Sequence, residues 1–247
     1  DMVERKLFGG TCVNTGCMPT KTLVASAYAA HLARRAADFG VVIDEPVRID
    51  MARVKARAMK VSSDAREGVE GWLRGMEGCT VFTEHARFDS PNQVRVGNES
   101  LTAARIFINV GGRAYVPELP GIGDVPYLTN SSMLQLDEVP EHLVVVGGSY
   151  VGLEFAQMFR RFGAEITVLE KGPRLTARED EDISAAIRQI LEAEGISVRT
   201  SAECMRFASH ERGVAVHLDG DGEPTVVGSH VLLAVGRVPN TDDLGLD

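Results

Sequence analysis

Apolar side chains recur at helical spacing in two early stretches. Leu23, Ala27 and Ala30 do so between Pro19 and the stop signal at Gly40, which predicts a helix over 19–38; a second, amphipathic and charge-rich helix is predicted over 50–76. Short apolar runs over 80–83, 93–96 and 105–110 come next, with Pro91-Asn92 and Gly97-Asn98 as turn residues between them, and they predict a β-rich stretch. The segment 115–126 holds three prolines and two glycines, so it is expected to be a stiff connector and not part of a core.

Beyond the connector the pattern changes. Residues 143–146 form a buried-strand run, Val151, Phe155, Met158, Phe159 and Phe162 repeat at helical spacing, Gly163 stops the helix, and 166–169 is the next strand. That is a βαβ unit. A further helix carries Ile183, Ile187, Ile190 and Leu191, and strands are predicted over 197–200, 214–218 and 226–235. The alternation predicts an α/β protein of two domains, 1–125 and 126–247. Residues 1–10 read as the end of a strand running into a glycine loop, so the first domain is expected to be partial, with further chain upstream.

Composition narrows the function. With 26 Lys and Arg against 35 Asp and Glu, the net charge of −9 opposes phosphate neutralisation, and no nucleic-acid partner is expected. No apolar run reaches the roughly 18 residues of a membrane span and no signal pattern opens the chain, so the expected compartment is the cytoplasm. Of the four cysteines, Cys79 and Cys204 stand alone in apolar, strand-like surroundings and are expected to be inert core thiols.

The run Val144-Val145-Val146-Gly147-Gly148-Ser149-Tyr150-Val151-Gly152 joins a buried strand to a helix start, the context that a dinucleotide fingerprint requires. Gly147 permits the tight turn, Gly152 permits close helix packing, and the helix N-terminus offers N–H groups to a pyrophosphate. Ser149 stands where the pattern has its middle glycine; its Cβ makes close approach less easy, while its hydroxyl can donate. A glycine pattern alone is equally a tight strand–helix turn. Glu170, about 20 residues on at the end of the second strand, strengthens the nucleotide reading, since its carboxylate suits ribose hydroxyls and repels a 2′-phosphate. NAD is therefore expected over NADP, with Lys171, Arg174 and Arg178 as the residues that could oppose that choice.

Cys12 and Cys17 are separated by four residues, with Gly16 between them and Pro19 just after. Pro19 suits a first helical turn, which places Cys17 near a helix N-terminus where the macrodipole favours a thiolate, and Lys21 adds positive charge one turn on. A zinc half-site and two buried thiols compete with a redox pair. Zinc needs about four ligands and no second Cys or His pair is present, so no metal is expected. A structural disulfide is disfavoured in a reducing cytoplasm.

Gly9-Gly10-Thr11-Cys12-Val13-Asn14-Thr15-Gly16-Cys17-Met18-Pro19-Thr20-Lys21 is similar, residue by residue, to the active-site segment of the pyridine nucleotide-disulfide oxidoreductases, and the likeness continues through Gly147 to Phe155, Glu170 and the segment from Ala234 to Asn240. The chain most resembles the mercuric-reductase-like and dihydrolipoamide-dehydrogenase-like FAD-containing members. The resemblance implies a Rossmann-like flavoprotein fold with two dinucleotide-binding domains, here a partial FAD domain and a complete NAD(P) domain. It implies that Cys17 faces the flavin, Cys12 exchanges with a disulfide substrate, and Lys21 pairs with Glu154 near the nicotinamide. It further implies FAD contacts from Glu4, Gly10, Thr11, Lys21, Ala86 and Gly111, nucleotide contacts from Gly147 to Gly152, Glu170, Gly236 and the Cys204 backbone, and a Tyr150 ring covering the empty nicotinamide pocket. The family's first FAD fingerprint and its dimerisation domain are expected outside this chain, in an intact homodimer. The implied activity is passage of electrons from NAD(P)H through FAD to the Cys12–Cys17 disulfide and on to a dithiol/disulfide or other small-molecule substrate. The competing reading is a flavin-free, inactive nucleotide-binding fragment, with the chain alone expected to hold no stoichiometric FAD.

Overall fold

The computed structural model describes residues 1–219 and 225–246, apart from the side chain of Cys204. In chain order the elements are β1 (Met2–Val3), α1 (Gly10–Asn14), α2 (Cys17–Arg34), α3 (Met51–Arg74), β2 (Val81–Phe82), β3 (Ala86–Ser90), β4 (Gln93–Val96), β5 (Glu99–Thr102) and β6 (Gly112–Ala114). Then come α4 (Asn130–Met133), β7 (His142–Val146), α5 (Tyr150–Phe162), β8 (Glu165–Leu169), α6 (Glu181–Ala193), β9 (Ser197–Arg199), β10 (Glu203–His210), β11 (Gly213–Asp219), β12 (Thr225–Gly228), β13 (His230–Leu233) and β14 (Arg237–Pro239). These form two compact units, one of Asp1–Thr20, Ala58–Arg113 and Arg237–Asp247, the other of Lys21–Arg57 and Ala114–Gly236.

The first unit holds a parallel pair β1–β2, an antiparallel sheet in the order β3-β4-β5, and the pair β14–β6. Helix α2 begins at Cys17, two residues before Pro19, because a proline in the first turn lacks only an N–H that would have no helical acceptor. Its apolar stripe, Leu23, Ala27 and Ala30, belongs to the second unit and is buried. The helix stops at Arg34, and a short 3₁₀ turn then carries the chain to Gly40, whose φ of 74° closes it. The strand expected over 105–110 does not form. Phe107 is 82% exposed there, and Val110 offers its carbonyl to the Asn240 side chain at 3.1 Å. A β-prone run becomes a strand only where a neighbour takes its backbone groups, and among the described residues no ladder does.

The second unit is built on a parallel sheet in the order β13-β7-β8-β9, with Leu128 extending it beside β13 through bonds to Val231 and Leu233. Helices α5 and α6 make the crossovers β7–α5–β8 and β8–α6–β9, and an antiparallel meander β10-β11-β12 carries the chain back to β13. This is a Rossmann-like arrangement, with the reversal of strand order between β7 and β13. Phe155, Ala156, Met158, Phe159 and Phe162 of α5 are buried, while Val144, Val146, Val231 and Leu233 of the sheet pack with Met205, Phe207, Val214, Val216 and Val226 of the meander.

Four expectations change here. The segment 115–126 is not merely a connector: Ile122 and Val125 are buried in the meander cluster, and the Phe207 N–H donates to the Pro120 carbonyl at 2.8 Å. The run 226–235 divides into β12 and β13, which belong to different sheets, and the Ser229 hydroxyl between them bonds the His142 backbone. Strand β10 is not among the predicted strands; its Met205 and Phe207 are buried, and its pairing with β11 is what makes it a strand. On α6, Ile183 and Ile190 are 47% and 56% exposed, because the buried positions are Ser184 and Leu191.

Candidate active site

In the first unit the chain leaves β1, passes Glu4, whose carboxylate accepts from the Lys6 N–H at 2.8 Å, and turns through Gly9 and Gly10 at φ 87° and 61°. The Asn14 amide fastens this loop by donating to the Phe8 and Gly10 carbonyls at 2.8 and 2.9 Å. Cys12 lies on α1 and Cys17 is the first residue of α2. Gly16 lets the two segments close up, since a Cβ there would lie 2.9 Å from the Thr11 carbonyl and 3.3 Å from the Cys12 Cα.

Both thiols are free and exposed. The Cys12 thiol lies above the usual range because its side chain hydrogen-bonds that of Cys17; slight burial and the Cys17 charge add to this, and the Cys17 and Met18 N–H groups oppose it. Cys17 stands in the first turn of a long helix, where N–H groups lack intrahelical acceptors. Two exposed thiols at such a place, one of them at a helix N-terminus, can give up a proton and exchange with a disulfide. Thr11 and Gly111 are also brought together, a Cβ on Gly111 falling 3.0 Å from the Thr11 hydroxyl oxygen, while nothing lies within 4 Å of one built on Gly10. Open backbone at Gly10 and close approach at Gly111 fit a ligand that reads main-chain groups, as a dinucleotide does. Ala86 opens β3. Cys79 is half-buried in the turn before β2, so it is not the core thiol expected of it.

In the second unit the Gly147–Gly152 loop lies at the C-terminal end of β7, beside the strand reversal. Gly147 has φ 112°, and a Cβ there would come within 2.4 Å of the Ala234 carbonyl at the end of β13. A Cβ on Gly148 would meet Leu175 at 2.6 Å and Glu170 at 2.9 Å, and one on Gly152 would sit 2.2 Å from the Gly147 carbonyl. Ser149 caps α5 with its backbone but makes no side-chain cap bond, and Ser149, Tyr150 and Val151 are exposed at the helix mouth. Glu170 accepts from the Gly148 and Gly172 N–H groups, both at 2.6 Å, which fixes the carboxylate against the glycine loop with lone pairs remaining. Glycines that a Cβ would fill, a helix terminus and an acid at the loop together fit a nicotinamide dinucleotide. Arg174 is turned to the Ala177 carbonyl at 3.2 Å.

Lys21 and Glu154 form an ion pair, 68% and 28% exposed, at one side of a cavity of about 400 Å³ that Tyr150, Leu153 and Thr176 also line. Gly236 has φ 140° and accepts from the Tyr115 N–H at 3.0 Å. Cys204 falls on β10, and its side chain lies outside the described residues. The sequence reading missed Glu179, which accepts the Tyr150 hydroxyl proton, and Thr176, whose φ is 44°. No sequence signal marks either one, because both depend on how the loop after β8 folds back. Among the described residues no group of His, Cys, Asp or Glu could hold a metal, and no helix is long and apolar enough to cross a membrane.

Comparison with known proteins agrees with this geometry. A mercuric reductase from Streptomyces lividans is 37% identical over 253 residues, covering 100% of this chain and 53% of that protein. A dihydrolipoyl dehydrogenase from Acholeplasma laidlawii is 32% identical over 253 residues, covering 100% of this chain and 74% of that one. The solved structure of the HOCl-induced flavoprotein disulfide reductase RclA from Escherichia coli superposes with a TM-score of 0.84 at 34% identity, over 98% of this chain and 52% of RclA. The chain thus spans about half the length of several relatives it matches. The profile of the pyridine nucleotide-disulphide oxidoreductases matches residues 1–247, and the chain belongs to that family.

Proposed function

We propose that the intact protein is an oxidoreductase that carries reducing equivalents from a nicotinamide nucleotide to the Cys12–Cys17 pair and on to a disulfide or related substrate. The observation that carries this is the placement of two exposed cysteines together, Cys17 in the first turn of α2 and Cys12 on the segment that Gly16 allows to close against it, where a Cβ on Gly16 would lie 3.3 Å from the Cys12 Cα. In this reading the Cys12 thiolate attacks a substrate disulfide, one substrate thiol leaves, and Cys17 then displaces the second as the Cys12–Cys17 disulfide forms. Two electrons and a proton arriving as hydride, with one proton from solvent, restore the two thiols.

FAD, when bound, would supply the two-electron relay between nucleotide and cysteines. Glu4, Gly10, Thr11, Lys21, Ala86 and Gly111 would hold it, within a flavin domain of which 1–125 is part; 126–247 would bind the nucleotide. Gly147, Gly148, Ser149, Tyr150, Val151 and Gly152 would take the pyrophosphate and the nicotinamide half beyond it. Glu170 would take the adenosine ribose, which favours NAD over NADP, with Gly236 and the Cys204 backbone completing that site. Lys21 and Glu154 would orient the nicotinamide end through their ion pair. The reading extends to a homodimer in the cytoplasm, where a reducing thiol pool suits a pair opened and closed at each turnover.

Anaerobic titration of the intact protein with NADH, followed by thiol counting, tests it. Two new thiols should appear per chain in the oxidised wild type and none in Cys12→Ser. An unchanged thiol count in the wild type would sink the redox assignment.

A further inference from the structure

The turn between β8 and α6 holds a β-branched residue in the left-handed region: Thr176, at φ 44°. Such a residue is a true backbone outlier, and it persists only where its surroundings fix it. Here they do. Thr176 is 3% exposed, its N–H donates to the Gly148 carbonyl at 2.8 Å, and its own carbonyl accepts from the Glu179 N–H at 2.8 Å. Leu175 beside it is 1% exposed, with its carbonyl accepting from the Ser184 hydroxyl at 2.6 Å.

The consequence of this turn is the placement of Glu179, whose carboxylate accepts from the Tyr150 hydroxyl. Gly148 is bonded to the same segment through both of its backbone groups, its N–H going to Glu170 and its carbonyl to Thr176. The glycine loop and the Tyr150 ring are therefore tied to one preset stretch of chain. Tyr150 and Glu154 stand one helical turn apart on α5 and line the same cavity, so a molecule lying on the loop and extending to Glu154 meets the Tyr150 ring on its way.

We propose that Glu179 is a positioning residue of the nucleotide site, holding Tyr150 in a rest position through a hydrogen bond that the incoming nucleotide breaks. This rests on the reading of Gly147–Gly152 as a nucleotide loop. The Tyr150 phenol lies above its ordinary range because Glu179 accepts its proton, with slight burial and the carboxylate charge adding and Arg178 opposing.

Two measurements on the intact protein test the proposal. The first is tyrosinate absorbance against pH, with Tyr150→Phe subtracted to isolate the one phenol; in Glu179→Ala it should titrate at lower pH than in the wild type. The second is calorimetric titration with NAD⁺. Glu179→Ala and Tyr150→Phe should each tighten binding about three- to tenfold, as expected when one exposed hydrogen bond no longer has to be broken. Glu179→Gln, which keeps an acceptor, should bind within about twofold of the wild type, and the double variant no tighter than either single one. Unchanged or weaker binding in Glu179→Ala, an additive double variant, or an unmoved phenol titration would each overturn the proposal. A wild type that does not bind NAD⁺ would overturn it together with the nucleotide reading, whereas an unmoved phenol with normal NAD⁺ binding refutes Glu179 alone.

Discussion

Replacing Gly152 with alanine puts two physical effects in opposition. Gly152 is the third residue of α5, where helix propensity by itself favours alanine by about 1 kcal/mol. Against this, the added Cβ would stand 2.2 Å from the Gly147 carbonyl, 3.2 Å from Val145 Cγ1 and 3.3 Å from Ala234 Cβ. The first of these is backbone, so α5 and the loop have to separate by roughly 0.8 Å to reach 3.0 Å, in an interior packed too tightly to absorb it. Overpacking of this kind costs about 1–3 kcal/mol, which lowers Tm by several degrees at roughly 2–4 °C per kcal/mol in a domain of this size. The same movement takes the first-turn N–H groups of α5 out of line with a bound pyrophosphate. One charge-assisted hydrogen bond lost, at about 1.5–3 kcal/mol, raises the Kd for NAD⁺ by roughly 10- to 100-fold. Calorimetric titration and thermal melting of the intact protein read both effects. A Tm at or above that of the wild type, with Kd within about twofold, would show that propensity prevails and that the close approach of helix and loop is not needed.

Three further outcomes are expected. Alkylation and mass spectrometry of the oxidised protein should find Cys12 joined to Cys17, opened by dithiothreitol, with Cys79 and Cys204 free; a bridge from either active cysteine to Cys79 or Cys204 would refute the pairing. Stopped-flow mixing should show faster reduction by NADH than by NADPH, and Glu170→Ala should narrow that preference by removing the carboxylate that faces the loop; equal rates in the wild type would shift the choice to Lys171, Arg174 or Arg178. Glu194, which burial alone would raise, titrates below the ordinary carboxylate range because Arg161 bonds both its oxygens at 2.8 and 2.6 Å, with Gln157 adding a third bond at 2.8 Å. With side chains only 16% and 17% exposed, this pair should cost about 2–3 kcal/mol on Glu194→Ala, less than a fully buried pair. Because the folded carboxyl is depressed, that stability is present above the ordinary carboxylate pKa and is lost as pH falls through the lower folded value, so wild type and Glu194→Ala should melt ever closer together in acid.

Elements whose cause is local can be read from the order of residues alone. The β7–α5–β8 unit arises from a valine run, a glycine turn and a stripe from Phe155 to Phe162, and those residues are buried where the spacing places them. Cys12, Cys17 and the Gly147–Gly152 loop were legible for the same reason, since the chemistry lies in residue types a few positions apart. Other features depend on partners distant in the chain. Residues 105–110 carry strand-forming side chains yet no ladder, and 226–235 divides because its two halves pair with different neighbours. Ile122 and Val125 are core because the meander folds over them, which no local pattern among prolines and glycines announces. Glu179 reaches Tyr150 only through a turn that holds Thr176 in a conformation threonine rarely adopts, and that choice is made by Gly148, Leu175 and Ser184 around it.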